Sequence, residues 1–302
     1  MKSILITGGN GLIGKTLSRK LVEKGYRVSI LSRSHQDITG IKSYTWNWEK
    51  QEIEKGAVEN ADIIIHLAGE NVGTGRWTKT RKKQIIESRV KTAGLLLEQI
   101  KKTGKKPEAF ISSSATGYYG SVTTNKIFSE EDSPANDFLG KVCQSWERAS
   151  DEFQTMGIRT VKIRSGVVLS SKGGALPKMA GPIKSGFGAG LGNGKQYILW
   201  IHMDDLCEIY IKAIEDNTMK GAYNAVASSH ITNKELTMQI AGVLKKPLWL
   251  PNVPAFIMKV MFGEMSRIIL EGSRISNEKL LNTGFRFQYP EIEKALEDIF
   301  EN

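Results

Sequence analysis

Three glycines open the chain at a spacing that suits one task. Gly8, Gly11 and Gly14 stand in the run Thr7-Gly8-Gly9-Asn10-Gly11-Leu12-Ile13-Gly14. An apolar stretch, Ile4-Leu5-Ile6, precedes them, and Leu12, Ile13, Leu17 and Leu21 continue at helical spacing. Strand, glycine loop and helix in that order form the geometry that holds a dinucleotide pyrophosphate. Gly8 permits the tight turn, Gly11 lets backbone approach the phosphates, and Gly14 lets the helix pack close to the strand. Asn10, Leu12 and Ile13 belong to the same cradle, where the free N–H groups and dipole of the helix face the anion.

The next chemical signal decides which dinucleotide. The second apolar segment ends Leu31-Ser32-Arg33-Ser34, without an acid to accept hydrogen bonds from a ribose 2′-hydroxyl. Arg33 can pair with a 2′-phosphate and stack on adenine, and Ser32 can add a hydrogen bond. The expected cofactor is therefore NADP(H) rather than NAD(H). Further along come His66-Leu67-Ala68-Gly69-Glu70, where the small Ala68 and Gly69 let a cofactor lie against backbone. His66, on an apolar strand, reads as a packed core histidine. The run Ser112-Ser113-Ser114-Ala115-Thr116-Gly117-Tyr118-Tyr119-Gly120 places hydroxyls at a strand end, beside a nicotinamide. There Ser114 can polarise an oxygen undergoing hydride transfer.

These residues need a scaffold, and the sequence pattern supplies one. Strands are expected at residues 3–7, 27–31, 43–46, 63–67, 109–112 and 160–163, and helices at 12–24, 78–102 and 138–156. Unbroken apolar strands alternating with helices mean a parallel sheet covered on both faces. The pattern breaks after Arg164 into the glycine-rich residues 166–197, and the tail from Thr232 reads mainly helical. The expected fold class is α/β, a doubly wound (Rossmann) parallel sheet with a smaller, mainly helical C-terminal lobe. Residues 1–170 plus 198–227 form the first unit and 171–197 plus 228–302 the second. In Trp200-Ile201-His202-Met203-Asp204-Asp205 the aspartates are expected to cap a helix, as scaffold rather than as a catalytic triad.

Composition narrows the partners. The 302 residues are 40% hydrophobic and 25% charged, an ordinary globular balance. Cys143 and Cys207 lie far apart, make no metal spacing and fit a reducing, cytoplasmic setting. The opening apolar run is too short for a signal peptide, and no run approaches the about 18 apolar residues that span a membrane. The net charge of +10 is spread over scattered pairs such as Lys82-Lys83 and Lys245-Lys246. That fits solvated helix faces better than a nucleic-acid stripe. The expected partners are a small-molecule substrate, with neither nucleic acid nor membrane nor metal; a homo-oligomer is compatible with the sequence. Residues 186–195, with Lys178, Lys184 and Lys195, suit a mobile lid over an anionic substrate.

Taken together, these motifs resemble the extended, epimerase-like short-chain dehydrogenase/reductases. The glycine loop, His66-Leu67-Ala68-Gly69, Ser112 to Thr116, Trp200 to Leu206 and Tyr223-Asn224 occur in that family's order. More narrowly the chain is similar to an atypical "epimerase family" subgroup. Those pieces are Ala68-Gly69-Glu70-Asn71, Arg76-Trp77-Thr78, Ser88-Arg89-Val90, Arg164 to Leu169, Gly263-Glu264-Met265 and Gly284-Phe285-Arg286-Phe287. The resemblance implies a Rossmann fold and NADP(H) binding, with Leu67, Glu70, Gln84, Arg89, Ser112, Arg164 and Val167 near the cofactor.

One departure cuts across it. The family works with a serine and a Tyr-x-x-x-Lys pair, and Ser114 matches the serine. Aligning Glu147 with the glutamate that follows the pair puts Leu139 at the tyrosine and Cys143 at the lysine. Neither does that acid–base work, and Lys141 lies two residues from each, off their helix face. Tyr118, Tyr119 and Glu70 are the groups in reach to substitute. Two functions follow. One is an NADP(H)-dependent oxidoreductase or epimerase-like enzyme with non-standard acid–base residues. The other is a catalytically silent NADP(H)-binding redox sensor or regulatory module.

Overall fold

The computed structural model describes residues 1–301. Fourteen strands occur along them. The first seven are β1 (Ser3–Thr7), β2 (Arg27–Ser32), β3 (Lys42–Asn47), β4 (Glu52–Ile53), β5 (Ile63–His66), β6 (Ala109–Ala115) and β7 (Ile127–Phe128). The others are β8 (Arg159–Ser165), β9 (Val167–Leu169), β10 (Tyr197–Ile198), β11 (Trp200–His202), β12 (Gly221–Ala225), β13 (Ile231–Thr232) and β14 (Arg274–Ile275). Eight of them form the main sheet in the order β12-β8-β6-β5-β1-β2-β3-β4. Its pairs are parallel except β3 with β4.

The order states how the chain winds. It runs outward from β1 through β2 and β3, then returns to β5 and continues the other way. The reversal lies between β1 and β5, where an open α/β sheet binds its ligands. Alternate strand residues feed two separate cores. Ile4, Ile6, Ile63, Ile65 and Ile111 pack with Leu206 and Tyr210 on one face; Leu5, Ile64 and Phe110 pack with Leu96 and Phe153 on the other. A sheet buried on both faces explains why its strands read as continuous apolar runs.

The helices on these faces have readable ends. α1 (Leu12–Glu23) begins at Gly11 without a side-chain cap. α2 (Lys79–Thr103) is capped by Thr78 and ends at Gly104 with φ +70°. α3 (Phe138–Thr155) is capped by the Asp137 carboxylate, which accepts from the Gly140 N–H at 2.8 Å. The remaining helices are α4 (Leu176–Lys184), α5 (Met203–Glu215), α6 (Asn233–Val243), α7 (Ala255–Phe262), α8 (Arg267–Leu270), α9 (Glu278–Leu281) and α10 (Ile292–Glu301). A third core joins α4, α6 and α10 through Leu176, Ile183, Leu236, Ile240 and Leu296.

Three expectations change here. β6 and β8 run past their expected ends, so Ser112, Ser113 and Ser114 lie within a buried strand, because each hydroxyl finds a protein partner. The cap of α5 is the His202 ring, whose Nδ1 accepts from the Asp204 N–H at 3.1 Å, not an aspartate. Asp204 instead pairs with Lys20 at 3.2 Å, and Asp205 accepts from the Gln288 and Tyr289 N–H groups at 2.7 and 3.0 Å. The segment 186–195 is tied down rather than free to close. The Leu191 N–H donates to the Asn233 side chain, the Gly192 N–H to the Val253 carbonyl, the Val253 N–H to the Gly190 carbonyl, and the Gln196 side chain to the Leu191 carbonyl.

Candidate functional site

The site begins where two loops touch at the β1–β5 reversal. Gly8 sits at φ +69°, and a Cβ there would lie 2.9 Å from the Leu67 carbonyl carbon. A Cβ on Gly14 would lie 2.4 Å from the Gly8 carbonyl oxygen and 2.7 Å from the Gly9 Cα. Only hydrogen fits at these contacts, so the two glycines hold the start of α1 against the β1 end. Gly11 is exposed, its N–H donates to the Gly8 carbonyl at 2.9 Å, and it leaves the first helical turn open. Leu12 and Ile13 are half-buried against the core. Asn10 Oδ1 is buried and finds no hydrogen-bond partner among the described residues. Such a buried acceptor, just before the start of α1, fits a bound molecule that brings its own donor.

Arg33 is exposed at the end of β2. Beside it Ser32 is buried, its hydroxyl donating to the Ser34 carbonyl and shaping the turn. Across the reversal, the Ala68 N–H donates to Thr7 Oγ1 at 3.2 Å, and Gly69 is exposed. His66 is fully buried between Thr7 (2.8 Å) and Thr92 (3.3 Å), and burial pushes its pKa down to about 4. It is the packed core histidine the sequence suggested.

Arg89, on α2, is buried and reaches backbone rather than solvent. Its guanidinium donates to the Ile85 carbonyl at 2.8 Å and the Glu70 carbonyl at 2.9 Å, and lies 4.6 Å from the Trp146 ring centre. A Cβ on Gly69 would come within 2.9 Å of it. Burial draws its pKa down to about 10. The residue thus props the 69–70 backbone from beneath. The Glu70 carboxylate is taken by Arg81 at 2.9 Å, and Gln84 is exposed on the same helix.

The far end of the cleft is built from buried side chains. Ser112 Oγ donates to the Ser113 carbonyl at 2.9 Å, and Ser113 Oγ meets the Tyr210 hydroxyl at 2.7 Å on the α5 face. Ser114 turns to the α3 face and donates to Glu147 Oε1 at 2.7 Å. Glu147 also takes both arms of Arg164, at 2.8 and 2.9 Å. Arg164 Nη1 donates to the Tyr119 hydroxyl at 2.9 Å, and Tyr119 in turn donates to Asn224 at 2.7 Å. Burial lowers the Arg164 pKa, but bonding to Glu147 and Tyr119 outweighs this and leaves it raised. Burial raises that of Tyr119. Tyr118 is half-buried, with the Arg164 guanidinium 3.5 Å from its ring centre. Val167 is half-buried and pairs through β9 with β11.

Leu139 and Cys143 flank this network on α3. A Cβ on Gly117 would stand 3.2 Å from Leu139 Cβ and 3.7 Å from Cys143 Sγ. Burial pushes the Cys143 thiol up to about 12, so it stays protonated at neutral pH. Lys141 is exposed, off their face. The sequence reading used Glu147 only as an alignment marker and missed its role. Its signal was periodicity: Glu147 shares a buried helical stripe with Cys143 and Ser150, and a carboxylate there demands a cation.

Comparison with known proteins agrees with this geometry. The family model described as the NAD dependent epimerase/dehydratase family matches residues 4–225. A domain of unknown function, DUF1731, matches residues 253–299. Epimerase family protein YfhF of Bacillus subtilis is 36% identical, over 98% of this chain and 97% of its own. Epimerase family protein SDR39U1 of Mus musculus is 34% identical, over 98% and 99%. The crystal structure of human epimerase family protein SDR39U1 (isoform 2) with NADPH matches at a TM-score of 0.88 and 31% identity, covering 99% of each chain. The chain therefore belongs to the NAD dependent epimerase/dehydratase family.

Proposed function

We propose that this chain is an NADP(H)-dependent oxidoreductase or epimerase-like enzyme whose proton-transfer group is not the family's Tyr-x-x-x-Lys pair. The observation that carries this reading is an intact nucleotide cradle beside Leu139 and Cys143. In it, the Gly8–Gly14 turn and the open start of α1 hold the pyrophosphate, and Asn10 Oδ1 accepts a donor from the cofactor. Arg33 binds the 2′-phosphate at the mouth. Ala68 and Gly69 let the nucleotide lie on backbone that Arg89 keeps in place. Ser112, Arg164 and Val167 shape the nicotinamide end, with Gln84 at its rim. When bound, NADP(H) supplies or takes up a hydride. The NADPH named with the human relative supports the same cofactor.

The proton is the harder part. Ser114 gives its hydrogen to Glu147, so only its lone pairs remain for a substrate. Tyr119 is buried and doubly bonded within the chain. Tyr118, beneath a guanidinium, is the phenol left to move a proton at the substrate oxygen. The Ser114–Glu147 bond also favours a second reading, a catalytically silent NADP(H) sensor, because loss of a positioned acid–base group typically costs about 10²–10⁴-fold in rate.

Calorimetric titration tests the cofactor. NADPH is expected to bind more tightly than NADH, and Arg33→Ala to weaken NADPH by about 10–100-fold while leaving NADH unchanged, the worth of one or two charge-assisted bonds. Tighter binding of NADH would refute the role given to Arg33. NADPH consumption over a panel of carbonyl compounds then separates the two readings: silence with tight cofactor binding selects the sensor.

A further inference from the structure

A groove of about 440 Å³ runs beside α6, and none of its lining residues belongs to the nucleotide cradle. Thr237, Met238, Ala241 and Gly242 form its α6 side, and Leu248 and Leu250 contribute from the segment that follows. The chain makes this groove by folding back on itself. α6 ends at Val243, Lys245 turns the chain at φ +53°, and the Lys246 N–H returns to the Ala241 carbonyl at 2.9 Å. Two glycines then fix the returning segment. A Cβ on Gly188 would lie 2.7 Å from the Leu248 side chain, and one on Gly190 would lie 2.6 Å from the Asn252 side chain. The Val253 N–H donates to the Gly190 carbonyl at 2.8 Å, and the Asn252 amide donates to the Gly192 carbonyl at 3.3 Å. The groove is thus preformed by the same bonds that tether residues 186–195. α7 also exposes apolar side chains, Phe256, Val260 and Met261, but the groove beside α6 is a walled volume.

Its charge has one sign. Lys234 and Lys246 line it, both are exposed, and neither is ion-paired among the described residues. No acid lines it. Glu235, the one acid on α6, is turned into a capping box, where its carboxylate accepts from the Thr232 N–H and hydroxyl at 2.8 and 2.7 Å. The rest of the lining is largely apolar or small. Met238 is 55% exposed, Leu248 and Leu250 are half-buried, and nothing stands within 4 Å of a Cβ built on Gly242. The volume lies in the usual range of small-molecule sites.

We propose that this groove is a second small-molecule site, for a carboxylate carried on a compact apolar body. The apolar body takes the place of water against Met238, Leu248 and Leu250, and the carboxylate meets Lys234 or Lys246. The two free lysines and the want of any acid select an anion over a cation or a neutral molecule. A molecule bound there touches Ala189 and Gly190, so it also braces the tethered segment.

The test uses the full chain and calorimetric titration with 2-naphthoate, with 2-naphthamide as its uncharged counterpart. 2-Naphthoate is expected to bind about tenfold more tightly than 2-naphthamide, the worth of one charge-assisted contact. The double variant Lys234→Glu, Lys246→Glu should weaken 2-naphthoate by about tenfold or more through like-charge repulsion. Gly242→Leu should fill the groove and abolish binding while holding or raising the melting temperature, because leucine is the better helix former. Saturating NADPH should leave 2-naphthoate affinity unchanged. Absence of 2-naphthoate binding at millimolar concentration overturns the proposal, as do equal affinity for 2-naphthamide and binding that survives Gly242→Leu. Displacement by NADPH overturns it too, since the acid would then occupy the nucleotide cleft. So does a dimer in sedimentation that Gly242→Leu dissociates, since a second copy would then fill the groove.

Discussion

At the Gly8–Gly14 end of the cleft, recognition is built from backbone and from the absence of side chains; Gly14 has no room for a single carbon. At the Ser114 end it is built from buried charge, with Ser114, Glu147, Arg164, Tyr119 and Asn224 in one bonded chain. On the proposed reading the first end binds through main-chain N–H groups, provided that its glycines let the backbone segments meet. The second depends on particular side chains, and there Leu139 and Cys143 stand at the positions that the family resemblance assigns to Tyr and Lys. On the proposed reading, nucleotide binding and proton transfer are separable on one scaffold, because one would rest on main chain and the other on side chains.

The largest effect should come from forcing carbon into the backbone end. Gly14→Val places atoms inside contact distance of the Gly8 carbonyl and the Gly9 Cα. Calorimetry should show NADPH affinity reduced by about 1,000-fold or more, an estimate from displacing the helix start by an ångström or so. Retained affinity would show that the turn does not define the cradle.

The side-chain end should fail in stability instead. Arg164→Met leaves the Glu147 carboxylate buried without its bidentate partner, and Lys162 stands 3.7 Å away. Urea denaturation should register a loss of about 3–5 kcal/mol, the usual cost of breaking a buried pair from one side. A loss under about 1 kcal/mol would place the network on the solvent side of the ledger and remove the contrast between the two ends.

His66 lies between the two ends and gives the smallest signal. Its folded pKa of about 4 lies below the ordinary histidine value of 6.5, because burial disfavours the charged ring. As pH falls, the unfolded chain therefore takes up the proton first. Stability from this group is complete above about pH 6.5 and declines as pH drops through about 4, by about 3 kcal/mol in total. An NMR titration of the His66 ring should show no protonation down to about pH 5. A midpoint near 6.5 would mean the strand end is wet.

Much of the fold was legible. Alternating apolar strands and helices announced the parallel sheet, and the observed β1, β2, β3, β5, β6 and β8 sit where the pattern expected them. Strand ends were less legible. Polar Ser113 and Ser114 look like termination until Tyr210 and Glu147 are seen to receive them. The α5 cap was misassigned for a similar reason: an aspartate is the commoner cap, but Asp205 is drawn to the backbone of residues 288 and 289 across a span no local rule measures.

The sequence alone determined the glycine turn, the periodicity of the sheet and its helices, the want of an acid after β2, and the want of a Tyr-x-x-x-Lys pair on α3. These are local matters of backbone sterics, side-chain period and residue identity. The tertiary structure alone decided that Ser114 is spent on Glu147, that Arg89 supports a loop from below, that residues 186–195 are tethered, and that α7 stays uncovered. Each of these depends on which distant groups meet in a low-dielectric interior or fail to meet at the surface, and such long-range pairings are settled by packing rather than by neighbours in the chain.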